Sequence, residues 1–122
     1  MTDSALTIVE RQIDDVTVLA LTGQILLDDG DLVFGRRIRD LVDRGCVKIV
    51  VDLSGVTYID SSGVGMLVGK LKSVRERGGD IRLLHVTTRG QRLFGMLKIL
   101  TVFETFEDEA QALRSFSARP RG

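Results

Sequence analysis

The chain has 122 residues, 43% hydrophobic and 28% charged, and its 17 basic and 17 acidic side chains cancel. That length suits a single domain, the composition excludes a disordered or collagen-like chain, and the neutral total lacks a nucleic-acid binder's basic excess. A lone cysteine, Cys46, excludes an internal disulfide and suits a reducing cytoplasm. No apolar run approaches the roughly 20 residues of a membrane span, and Met1-Thr2-Asp3-Ser4 lacks the basic and apolar regions of a signal peptide.

Leu6 to Arg11 and Val16 to Thr22 are β-rich stretches separated by Asp14-Asp15, which predicts an antiparallel hairpin. Gly23 is expected to end the second strand, with Gln24 to Gly30 as a connection. Phe34, Ile38, Leu41 and Val42 fall on one face of a helix stopped by Gly45. The run Val47 to Leu53 reads as a buried central strand. Val64, Leu67, Val68, Leu71 and Val74 mark a second helix closed by Gly78-Gly79, and Ile81 to Val86 a further strand. Leu93, Met96 and Leu97 predict a short third helix, Thr101 to Thr105 a last strand, and Ala110, Leu113 and Arg114 a C-terminal helix. The tail 117–122 is expected to fray. The order ββαβαβαβα implies one α/β domain over 1–122, with a mostly parallel sheet, one antiparallel edge strand and about four helices.

Ligands and partners of such sheets gather at the carboxyl ends of the strands, which directs attention to residues 53–65. There Asp60, Ser61 and Ser62 precede the first apolar position of the second helix, so one of them is its N-cap. Gly63 and Gly65 are expected to leave the backbone of the first turn open to another molecule or element. A serine at a helix N-terminus is either a cap alone or an anion or phosphoryl site.

The segment Asp60-Ser61-Ser62-Gly63-Val64-Gly65, following the strand Ile49-Val50-Val51-Asp52-Leu53, resembles the signature of STAS domains, more narrowly of the bacterial anti-sigma factor antagonists. The resemblance covers residues 5–116 and includes Arg77-Gly78-Gly79 and Arg92-Leu93-Phe94. It implies that Ser61 is phosphorylated by a GHKL-like kinase that is also the anti-sigma factor, and that a PP2C-type phosphatase reverses this. It implies a switch surface of Asp60, Ser62, Gly63 and Gly65 around that serine. One departure stands out. The family usually reads Gly-Glu-Leu-Asp after the second strand, where this chain has Gly23-Gln24-Ile25-Leu26. The nearby Asp28, Asp29 and Asp31 are candidates for the missing acids at the partner surface.

Other motifs fail on spacing. Gly63-Val64-Gly65 continues to valine at position 68, where a dinucleotide loop needs glycine, and Gly69-Lys70 lacks both flanks of a phosphate loop. Neither Ser61 nor Ser62 has the upstream glycine of a hydrolase elbow. His85 reads as a structural or exposed histidine, Cys46 as a buried small residue, and Lys70, Lys72, Arg75 and Arg77 as the solvated face of the second helix. Residues 1–60 carry 6 basic and 11 acidic side chains and residues 61–122 carry 11 and 6, which suits either two solvated faces or a polarised docking surface. The expectation is a cytoplasmic, partner-switching protein with no catalytic residues, metal or cofactor. The alternative is a standalone STAS subunit of a lipid-transport ABC complex docking on an ATPase.

Overall fold

In the computed structural model residues 6–26, 30–86 and 102–117 are described. Strands β1 (Thr7–Ile13) and β2 (Val16–Ile25) form the expected hairpin, with Asp14 at the turn in a left-handed conformation, φ 55°. A π-type turn, Gly30–Phe34, leads into helix α1 (Gly35–Asp43). Strand β3 (Lys48–Ile59), helix α2 (Ser61–Glu76), strand β4 (Asp80–Leu84), a two-residue β5 (Thr105–Phe106) and helix α3 (Glu109–Ser117) follow. The strands lie in the order β1-β2-β3-β4-β5, antiparallel only between β1 and β2. This is the mixed α/β sheet read from the alternation of periods. The predicted helix at Leu93, Met96 and Leu97 lies outside the described residues, as does the tail from 118; three α-helices are described.

Both helix stops fall at the expected glycines. After α1 the Cys46 N–H donates to the Leu41 carbonyl and the Gly45 N–H to that of Val42; after α2 Gly79 donates to Val74 and Gly78 to Arg75. This paired pattern needs a left-handed residue just past the helix, and Gly45 (φ 82°) and Gly78 (φ 87°) supply it without a Cβ penalty.

Two boundaries differ from expectation. Gly23 does not end β2, which continues through Gln24 to Ile25, and β3 does not stop at Leu53 but runs on to Ile59. The two extensions pair with each other, Thr22 with Gly55, Gly23 with Val56, Gln24 with Tyr58 and Ile25 with Ile59. Two register shifts in that ladder each place an extra residue on β3. The bulges turn Leu53, Val56 and Ile59 all toward the core, a spacing of three where an unbulged strand would show two. Residues 54–59 therefore look like a loop to a period-2 reading. The last strand is also displaced from the expected 101–105, and β4 ends at Leu84.

The sheet is covered on both faces. On one, Leu19, Leu21, Val51 and Leu83 pack under Phe34, Ile38 and Leu41 of the first helical segment and Leu67, Leu71 and Val74 of α2. On the other, Val16, Val18, Val50 and Leu84 lie beneath Ala112 of α3, flanked by Leu113 and Phe116. Central positions alternate between the two cores, which is why β3 begins as a nearly continuous apolar run. No helix among the described residues is long and apolar enough to cross a membrane.

Candidate functional site

Strand β3 hands over to α2 within one residue. Ile59 is buried in the core, and Asp60 (φ −98°, ψ 177°) is still extended and caps the helix. Of the three cap candidates the structure selects Asp60. Its Oδ1 accepts the Gly63 N–H at 2.7 Å, and its carbonyl accepts the Val64 N–H at 3.0 Å. Ser61 and Ser62 follow as the first two helical residues, both exposed.

The first amides of a helix have no partner within it. With the Gly63 amide taken by Asp60, the N–H groups of Ser61 and Ser62 make no hydrogen bond among the described residues. They face solvent at the positive end of a 16-residue helix. The Ser61 side chain is thus exposed beside these free donors and next to the capping Asp60.

Gly63 and Gly65 separate. Gly65 is exposed, and a Cβ built there has nothing within 4 Å. Gly63 is buried, and a Cβ there would stand 2.5 Å from the Ile25 carbonyl oxygen and 3.1 Å from Ile59 Cγ1. Of the two approaches expected at Gly63, by another molecule or by another element, the structure shows the second: it lets α2 press against the end of β2. Sequence reasoning missed this because it ended β2 before Ile25. The signals available were the β-favouring Tyr58-Ile59 pair and the three-residue apolar spacing from Leu53.

The segment that departs from the Gly-Glu-Leu-Asp pattern lies next to this turn. Gln24 is paired with Tyr58, Ile25 is fully buried, and Leu26 is half-buried. Asp31 belongs to the π-type turn before α1, while Asp28 and Asp29 fall outside the described residues. His85 directly follows β4 in a left-handed conformation, φ 57°, with Nδ1 3.1 Å from Asp52 Oδ1, which also accepts the Ser54 N–H. That carboxylate is tied to the strand end, and Cys46 is half-buried against the core. Arg75 is not part of a purely solvated face: it binds Asp80 and the Val102 carbonyl.

Residues 7–112 match the STAS domain family over most of the chain. The chain belongs to that family. Its STAS domain is 26% identical over 98 residues to an anti-sigma F factor antagonist of Paenibacillus polymyxa, covering 80% of this chain and 84% of that one. An anti-sigma factor antagonist from Mycobacterium paratuberculosis has the same fold, with a TM-score of 0.82 at 18% identity over 94% of this chain and 97% of that one. So does the Bacillus protein SpoIIAA, solved unphosphorylated and phosphorylated. Those two forms give TM-scores of 0.69 and 0.71, each at 18% identity, covering 93% and 90% of this chain and 100% and 99% of theirs. Anti-sigma factor antagonists of the STAS family are regulatory binding proteins, not enzymes.

Proposed function

We propose that this STAS domain is a cytoplasmic anti-sigma factor antagonist switched by phosphorylation at Ser61. Unphosphorylated, it binds a kinase-type anti-sigma factor of the GHKL class and frees a sigma factor. Phosphorylated, it lets go, and a PP2C-type phosphatase resets it. The observation that carries this reading is the exposed Ser61 hydroxyl at the first position of α2, directly after the capping Asp60. The names of the relatives, and the phosphorylated form of one of them, support it.

The chemistry asks little of this chain. Ser61 Oγ attacks the γ-phosphorus of ATP held by the kinase, its proton passes to a base of the kinase, and the bond to the bridging oxygen breaks to release ADP. The product carries a charge of about −1.5 to −2. In free solution water and the amides of the first turn accommodate it, so the fold changes little. In a docked interface water is gone, and an uncompensated charge costs several kcal/mol. A cost of about 3 kcal/mol weakens binding by roughly two orders of magnitude.

Phosphopeptide mapping after incubation with the GHKL-type anti-sigma factor of the same genome tests the assignment. Phosphate is expected on Ser61, Ser61→Ala is expected to stay bound in the presence of ATP, and Ser61→Asp is expected to bind poorly. Ser62→Ala is expected still to accept phosphate. Phosphate on Ser62 alone, or undiminished binding by the Ser61-phosphorylated form, overturns the mechanism.

A further inference from the structure

A groove of about 390 Å³ runs between α1 and α2, with Ile38 and Val42 along its floor. Its volume lies within the roughly 300–1,000 Å³ of small-molecule sites. Arg39 contributes from α1, Lys70 from the distal half of α2 and Arg77 from the position just past its end. Lys70, Ser73 and Arg77 are spaced i, i+3 and i+7, which places them on one stripe of the helix.

Six of the twelve basic side chains among the described residues have no partner, and three of those six, Arg39, Lys70 and Arg77, line this groove, the others being Arg36, Lys72 and Arg114. Arg11, Arg37, Arg44, Lys48, Arg75 and Arg82 each lie within 4 Å of a carboxylate. Arg39, Lys70 and Arg77 make no ion pair or side-chain hydrogen bond among the described residues, although Asp43 and Glu76 line the same groove. Asp43 stands four residues after Arg39 on α1, the spacing at which such a pair ordinarily closes. The groove therefore offers two guanidinium forks and an ammonium as uncommitted donors, with two carboxylates as uncommitted acceptors. Forked guanidinium donors match the oxygens of a phosphate. Carboxylates repel a phosphate and accept hydrogen bonds from hydroxyl groups, so they suit whatever polyol carries it.

We infer that the groove between α1 and α2 binds a phosphorylated polyol of the sugar-phosphate class, with its phosphate on Arg39, Lys70 and Arg77 and its hydroxyls toward Asp43 and Glu76. The site is separate from Ser61. Lys70 and Arg77 follow that residue by nine and sixteen positions, roughly 14–24 Å along the helix axis. It does not depend on the phosphorylation reading.

Titration of the isotope-labelled protein with glucose 6-phosphate, inorganic phosphate and glucose, followed by amide NMR, tests it. Saturable shifts at Arg39, Lys70, Ser73 and Arg77 are expected with glucose 6-phosphate, weaker ones with inorganic phosphate and none with glucose. Arg39→Gln combined with Lys70→Gln is expected to weaken binding by about tenfold or more while leaving the melting temperature unchanged, since neither side chain holds an ion pair. Ser61→Ala is expected to bind as the unaltered chain does. Absence of saturable shifts at millimolar ligand, shifts centred on the Ser61 and Ser62 amides, or a response to polyglutamate alone, which would mark an acidic protein surface as the occupant, each overturns the assignment.

Discussion

Gly63 and Gly65 sit two positions apart in the first turn of α2 and answer to opposite constraints. A side chain at 63 meets the Ile25 carbonyl oxygen at 2.5 Å, and backbone cannot step aside as a flexible side chain can. Gly63→Val is expected to destabilise the fold by about 1–3 kcal/mol through overpacking. At 65 a side chain meets nothing, and the only effect is the lower helix propensity of glycine. Gly65→Ala is expected to stabilise by about 0.5–1 kcal/mol. Urea denaturation of the two variants measures both signs. An unchanged midpoint for Gly63→Val would mean that α2 does not press on the end of β2. Because Gly65 is exposed one turn from Ser61, a Gly65→Ala chain that is more stable yet binds the anti-sigma factor less well would locate the docking surface.

The elements at the β4 edge are joined through one carboxylate. Asp80, at the start of β4, accepts from Arg75 Nε at 2.8 Å and from Arg82 Nε at 2.9 Å. Arg75 reaches on to the Val102 carbonyl, and Arg82 to Ser115 Oγ, with its guanidinium 4.0 Å from the centroid of the Phe116 ring. Asp80 thus ties α2 on one face of the sheet to α3 on the other. Its side chain is 12% exposed, against 16% for Arg82 and 44% for Arg75. Removing the carboxylate leaves the largely buried Arg82 guanidinium with only Glu104, 3.9 Å away, and the Ser115 hydroxyl, whereas removing Arg75 leaves Asp80 still held by Arg82. Asp80→Ala is expected to cost about 2–3 kcal/mol, less than the 3–5 of a fully buried pair. Arg75→Ala is expected to cost about 1 kcal/mol or less. Equal losses in denaturant titrations of the two variants would show that the carboxylate is not the hub.

The domain depends on covering both faces of its sheet. With α3 removed, Val16, Val18, Val50 and Leu84 face water. Each such side chain is worth about 1.5–3 kcal/mol when buried, so the sum rivals the roughly 5–15 kcal/mol of a whole domain. A chain ending at Asp108 is expected to lose its cooperative thermal transition and to bind a hydrophobic dye. A sharp transition at an unchanged temperature would show that the sheet stands without that helix. Charge behaves differently from burial at this level. Among the described residues the acidic first half also presents cations next to the second, since α1 carries Arg36, Arg37 and Arg39 and packs beside α2. Ion pairs such as Arg11 with Glu109 join the halves.

Local signals in the chain were enough for the α/β alternation, the opening hairpin, the glycine stops after α1 and α2, and the start of α2 at Asp60 to Ser62. Each rests on interactions within about four residues: apolar spacing, a cap oxygen reaching an amide three positions on, a left-handed residue closing a helix. Only the folded chain decided the reach of β2 and β3, the choice of Asp60 as cap, the burial of Gly63 and the pairing of Arg75 with Asp80. The ladder from Thr22–Gly55 to Ile25–Ile59 joins residues more than thirty positions apart, and its bulges erase the alternation by which a strand is recognised. Gly63 is confined by Ile25, a residue distant in sequence and placed by that ladder. Neighbours along the chain specify the elements; distant partners specify where the elements end and which way their side chains face.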